Sequence, residues 1–205
     1  MTSLPDNILH LPEYHVLATK MEEHDLHYQV EAPEPLACEE CGVESGFVRF
    51  GKRDVAYRDL PIHGRRVTLW VVRRRYTCRA CGRTFRPALP EMVDDHRMTR
   101  RLYNHVEKEA FNHPYAYVAD TTGLDEKTVR EIFKKKAEFL AAWHRFETPR
   151  CLGIDELYLN RRYRCILTNL EERTLLDLLP GRQQDAVTRR LMSMTERHQV
   201  EIVSM

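Results

Sequence analysis

The chain has 205 residues, a formal net charge of +1, 42% hydrophobic and 31% charged residues, and six cysteines. That length holds more than one folding unit and can bury a real core. No apolar run reaches the roughly 18 residues that a membrane span needs, and MTSLPDNILH lacks a charged region followed by an apolar stretch. The sequence therefore predicts no membrane partner, no signal peptide and a reducing cytoplasm for its thiols.

The small net charge hides an asymmetry. Residues 38–90 carry twelve Lys/Arg against five acids, a surplus of +7, whereas the first 35 residues are acidic. A local basic field of this kind is a footprint for a polyanion, and the plainer alternative is a solvated, Arg-rich strand face.

In chain order, residues 15–21 and 25–31 alternate partly in polarity around Glu22-Glu23-His24 and predict a β-hairpin. His10, His15, His24 and His27 share no ligand spacing with the cysteines and read as surface residues. Pro33 and Pro35 stiffen the approach to Cys38-Glu39-Glu40-Cys41, which is answered by Cys78-Arg79-Ala80-Cys81. Thiolates two residues apart reach one tetrahedral zinc, and the glycines that follow, Gly42 and Gly82, permit a tight turn under the sulfurs. Four sulfurs close the shell, so Cys38, Cys41, Cys78 and Cys81 predict a structural Zn2+. The 36 residues between the pairs predict a zinc-ribbon-like knuckle pair with an inserted hairpin. Two disulfides would need a secretory route, and a redox CxxC would need a thioredoxin-like context that the sequence lacks.

Between the pairs, strands are expected at Phe47–Phe50 and 67–76, with a turn at Pro61-Ile62-His63-Gly64. Arg73, Arg74 and Arg75 are consecutive, so they cannot share one strand face, and they read as phosphate contacts along a sheet edge. Pro87 and Pro90 mark a linker. Met98, Leu102, Val106 and Ala110 then recur every four residues, predicting a helix from Thr99, its N-cap, to Phe111.

A helix-turn-helix pattern follows. Pro114 opens a short helix, Ala119 is small where helices cross, Gly123 permits the turn, Leu124 plugs it, and Asp125 caps a second helix with Val129, Ile132 and Phe133 inward. Glu126, Lys127, Thr128, Arg130 and Lys134 then face outward at the start of a recognition helix, where base edges would be met. An ordinary αα-hairpin is the bland alternative. The helix is expected to reach Arg145, burying Leu140 and Trp143.

Past Thr148-Pro149 the pattern predicts strands over 151–160, 163–170 and 174–179, a helix over 185–198 with Val187, Leu191 and Met194 on one face, and a fourth strand from Val200. Cys151 and Cys165 read as small core residues. Asp155 stands in an apolar strand, where a carboxylate is costly unless paired or metal-bound. A β-β-β-α-β order with an acid in the first strand is the start of a ribonuclease-H-like fold, whose carboxylates hold divalent ions for phosphoryl transfer. A strand-end Asp bonded to a turn is the alternative. The expected fold is α+β and multidomain: a β-rich zinc-binding domain over 1–90, a helix-turn-helix domain over 91–147, and the start of a ribonuclease-H-like domain over 148–205.

Several of these motifs resemble one family. The two CxxCG knuckles, Asp59-Leu60-Pro61-Ile62-His63-Gly64 and the run Arg74 to Gly82 resemble the zinc-binding head of ISL-three-type insertion-sequence transposases. The helix-turn-helix around Gly123 is similar to theirs. Gly153-Ile154-Asp155-Glu156 with Leu178-Leu179-Pro180-Gly181-Arg182 resembles the opening of their DDE catalytic domain. The resemblance implies cut-and-paste DNA transposition, with head and helix-turn-helix on the terminal inverted repeats of double-stranded DNA. Two aspartates and a glutamate would hold Mg2+, which activates water or a 3′-hydroxyl. Only the first aspartate carries over, onto Asp155; the second is expected just beyond the fourth strand, past Met205, so the chain alone is expected not to cut DNA. A homodimer on two DNA ends, at the bacterial nucleoid, is the expected setting. A truncated relative acting as a DNA-binding repressor, and a zinc head that binds another protein, are the other readings.

Overall fold

The computed structural model describes residues 9–143 and 146–205. The chain divides into two compact units, at residues 141 and 142.

The first unit opens with β1 (His15–Met21) and β2 (Asp25–Glu31), antiparallel and joined by the expected turn. Leu26, Tyr28 and Val30 alternate inward along β2, as a half-buried strand requires. Two long strands follow, β3 (Phe47–Ile62) and β4 (Arg65–Cys78). Three short ones come next: β5 (Thr84–Phe85), β6 (Met92–Val93) and β7 (Met98–Thr99). The sheet order is β1-β2-β4-β3-β7-β6, with β5 paired to the far end of β4. Val55, Tyr57, Val67, Leu69 and Val71 bury the inner face with Leu9, Leu11 and Tyr14. Tyr14 also donates a hydrogen bond to the Pro90 carbonyl at 2.7 Å.

The central strands are longer than the sequence predicts. The expected strand end at Phe50 is wrong, because β3 continues through Gly51-Lys52-Arg53-Asp54 to Ile62. Continuous pairing with β4 carries that polar stretch, and the inward alternation resumes at Val55. The expected turn at Pro61–Gly64 contracts to His63-Gly64, both at positive φ (51° and 75°), which suits a two-residue hairpin.

Three helices complete this unit: α1 (Arg100–Glu109), α2 (Tyr115–Thr122) and α3 (Glu126–Trp143). Thr99 caps α1 by accepting the Leu102 amide at 3.3 Å, and Asp125 accepts the Thr128 amide at 2.9 Å at the start of α3. Gly123 ends α2 in the left-handed region and donates to the Ala119 carbonyl at 2.9 Å. Met98, Leu102, Val106, Val118, Ala119, Val129 and Ile132 form the shared core. Leu140 and Trp143 are exposed (45% and 74%), contrary to expectation. An 18-residue α3 is about 27 Å long, roughly twice α1 or α2, so its later turns outrun their cover. The expected helix end at Arg145 lies outside the described residues.

The second unit is a meander of β8 (Cys151–Leu159), β9 (Arg162–Asn169) and β10 (Thr174–Leu178), then α4 (Gln184–Met192) and β11 (Ile202–Ser204). The order is β10-β9-β8-β11, with β11 parallel to β8. Leu152, Cys165, Leu167, Leu176 and Leu179 form the core, against Val187 and Leu191 of α4. Cys165 is buried as expected and Cys151 is half-buried. α4 stops at Met192, short of the expected His198; the Ser193 hydroxyl turns back to the Arg190 carbonyl at 2.7 Å, and Glu196 takes a positive φ of 54°. Among the described residues no helix is long and apolar enough to cross a membrane.

Candidate metal centre and basic surfaces

The register of the β3/β4 hairpin explains how cysteines 36 residues apart meet. Phe47 pairs with Cys78, so the chain runs out along β3 and returns along β4 to set the second CxxC against the first. The two knuckles repeat one geometry. The Cys38 amide donates to the Val43 carbonyl and the Gly42 amide to the Cys38 carbonyl, both at 2.8 Å. The Cys78 amide donates to Arg83 and the Gly82 amide to Cys78, both at 2.9 Å. Gly42 and Gly82 take φ of 75° and 70°, which closes each turn beneath its sulfurs.

All four Sγ atoms lie within 4.8 Å of one another. Cys38 is 3.9 Å from Cys81, and Cys41 is 3.8 Å from Cys78. A tetrahedron built on Zn–S bonds of about 2.3 Å has edges of about 3.8 Å, so the set fits a structural Zn2+ with no position left for water. The amides of Cys81 and Ala80 pull the Cys78 thiol down to about 7. The Val43 amide favours the Cys41 thiolate, but desolvation and the neighbouring sulfurs outweigh it and push that thiol up to about 12. A metal takes the place of the protons these sulfurs compete for. Cys38 and Cys78 are buried against Tyr76 and Phe85, and Phe47 meets Phe85 edge-on at 5.6 Å.

The structure separates the three consecutive arginines. Arg73 ion-pairs with Asp94 at 2.8 Å and donates to the Tyr57 hydroxyl at 3.3 Å. Arg74 points to the other face, where Glu31 holds it. Arg75 pairs across the hairpin with Gly51. β4 lies between β2 and β3, and its flank opens only over Arg73–Arg75, between Val72, the last residue opposite β2, and Tyr76, where β5 begins.

On α3, Lys127 and Lys134 are exposed (85% and 74%) and, among the described residues, make only long i,i+4 pairs with Glu131 and Glu138. Arg130 lies over the Tyr115 ring, 6.0 Å from its centre. The Thr128 hydroxyl turns back to the Asp125 carboxylate at 2.9 Å, as part of the helix cap.

Asp155 sits on β8 but is not buried, so the desolvation cost expected for it is absent. Its carboxylate accepts the Glu156 amide at 2.7 Å. β11 pairs with β8 from Ile202 opposite Cys151 to Ser204 opposite Gly153, two residues before Asp155. Glu156 is held by Arg182 at 2.6 Å and Asp177 by Arg190 at 2.5 Å. Among the described residues the only group of three or more potential metal ligands is the four-cysteine set.

Residues 34–81, which span all four cysteines, are similar to the family described as zinc-finger of transposase IS204/IS1001/IS1096/IS1165. Residues 152–205, which contain Asp155, are similar to the ISL3 family described as transposase. No curated protein and no solved structure matches the chain.

Proposed function

This chain belongs to the ISL3 transposases, and we propose that it is the part that recognises the ends of the mobile element. One observation carries the reading: a four-cysteine head and a transposase domain stand on one chain, on either side of three capped helices. The turn between α2 and α3, with Gly123 left-handed and Ala119 buried, supports a helix-turn-helix. Lys127, Arg130 and Lys134 on the open side of α3 would meet the major groove of a terminal inverted repeat, with Thr128 at the helix start. The zinc holds the long basic hairpin in shape and supplies no chemistry.

The order β10-β9-β8-β11, antiparallel except for the last pair, supports a ribonuclease-H-like second unit with Asp155 on its first strand. There Asp155 would offer one oxygen to Mg2+, an ion that in such sites activates water or a 3′-hydroxyl against a phosphodiester. A homodimer engaging two element ends, at the bacterial nucleoid, completes the proposal.

The test is fluorescence anisotropy with a duplex carrying the element's terminal repeat and a scrambled duplex of equal length. Wild type should prefer the repeat, and K127A/R130A should lose that preference while keeping salt-sensitive binding to both. Equal affinity of wild type for the two duplexes would overturn end recognition.

A further inference from the structure

Beyond Glu31, where β2 ends opposite Val72, the inner face of the β3/β4 hairpin turns from apolar to basic. Val55 and Val71 stand side by side on adjacent strands, both facing the core. One and two positions further out on the same face stand the pairs Arg53 with Arg73 and Gly51 with Arg75. Gly51, at φ 145°, places no Cβ opposite Arg75, and the space a Cβ would take is open for 4 Å. Arg86, just past β5, closes the other side. Phe50, Gly51, Lys52, Arg53, Arg75 and Arg86, with Arg73 behind them, line a concavity of about 400 Å³.

The charges in this cleft are not spent inside the protein. Arg73 and Arg74 have Asp94 and Glu31. Lys52, Arg53, Arg75 and Arg86 make no ion pair among the described residues. The Arg73 Nε is buried and has no hydrogen-bond acceptor among them. Arg75 and Arg53 crowd Arg86 enough to disfavour its charged form. Cations gathered into a concavity repel one another, and a bound anion relieves that repulsion while the guanidinium forks supply directed donors. The cleft lies on the hairpin whose base the four cysteines clamp, so its walls are held by the sheet rather than by a free loop.

We propose that Arg53, Arg75 and Arg86 form a phosphate seat for the backbone of duplex DNA, the head's own anchoring site, separate from α3. The proposal rests on the DNA-binding reading above. Phosphate contacts fix position and carry no sequence information, so this seat sets register and α3 reads sequence. Phe50, 63% exposed at the rim, would pack on the sugar edge.

The experiment compares wild type, R53A/R75A/R86A and the single charge reversal R86E, titrated with terminal-repeat and scrambled duplexes between about 50 and 200 mM salt. Zinc content and melting temperature report folding, and R86E, altered at an exposed side chain, stands in if the triple variant does not fold. The triple variant should bind both duplexes at least about ten-fold more weakly, with a salt slope shallower by about one to two units and an unchanged preference between them. R86E should weaken binding to both duplexes equally. Variants that keep wild-type affinity and slope would overturn the seat and leave end recognition standing. Failure of wild type to bind either duplex at the lowest salt would overturn both.

Discussion

Asp59 and Arg101 join the sheet of the first unit to its helices through a two-pronged ion pair. The Asp59 carboxylate, on β3, has no exposed surface; it accepts Arg101 Nε at 2.7 Å and is also bonded by Arg101 Nη2. The Thr99 hydroxyl donates to it at 2.6 Å and the Leu60 amide at 2.8 Å. Arg101 Nη1 reaches the Leu9 carbonyl at 2.7 Å. Thr99 is also the cap of α1, so one buried carboxylate fixes where that helix starts and how it leans on β3. Removing the guanidinium leaves a charge buried without its partner. Arg101→Ala should therefore cost about 3–5 kcal/mol of unfolding free energy. Urea denaturation followed by tryptophan fluorescence measures it, and a wild-type midpoint would show that the pair is not a joint.

The zinc site makes a second prediction. Serine at any of Cys38, Cys41, Cys78 or Cys81 should reduce bound zinc from about one per chain, whereas Cys151→Ser should not. Chelation should unfold the segment around Phe47, Tyr76 and Phe85, because metal binding at such sites is itself folding free energy of about 10 kcal/mol or more. Elemental analysis and thermal denaturation with and without chelator decide the point. An unchanged melting temperature after complete metal removal would sink it.

What was legible in the sequence was local. The CxxC spacings, the Thr99 and Asp125 caps and the Gly123 turn each act within a few residues, and the structure has them where they were expected. What was missed depends on long-range pairing. The middle of β3 reads as a loop because Gly51-Lys52-Arg53-Asp54 breaks the alternation, and only β4 opposite it keeps it extended. Arg53 and Arg86 enter the sequence reading only as part of the basic surplus, since it is the pairing of β3 and β5 with β4 that brings them beside Arg75. Asp59 is buried two residues after inward Tyr57, on the same face of β3, and that spacing is the local signal for its burial. Asp155 misled in the opposite sense: its strand is apolar, but from Asp155 onward β8 is exposed.

Gly123 carries two constraints that can be separated. Its φ is 72°, and a Cβ there would stand 2.8 Å from Arg66 Cδ. Gly123→Ala should therefore lose about 1–2 kcal/mol of stability from left-handed strain, plus a steric part. Arg66→Ala removes the steric part alone, so Gly123→Ala should cost less in that background but never nothing. Arg66 also pairs with Asp25 at 2.8 Å, so the double-mutant cycle rather than any single variant gives the answer. An alanine as stable as glycine in both backgrounds would contradict the turn geometry.

Asp94 gives the molecule a predictable acid sensitivity. Partial burial works to raise its carboxyl pKa, but the hydrogen bond from Tyr57 and the ion pair with Arg73 outweigh it and hold the carboxyl below the ordinary aspartate range. Burial and that same hydrogen bond push the Tyr57 phenol up to about 12, so it stays a donor at neutral pH. A carboxyl with a lowered folded pKa binds fewer protons folded than unfolded. The stability it supplies is complete above the unfolded aspartate value of about 4 and is lost as pH falls through the lower folded value. Wild type should therefore exceed Asp94→Asn in urea midpoint at pH 7, and the gap should close below about pH 4. Denaturation of both proteins at several pH values reads this directly. A gap that stays constant down to the lowest pH would show that the carboxylate charge is not what holds Arg73 and Tyr57 in place.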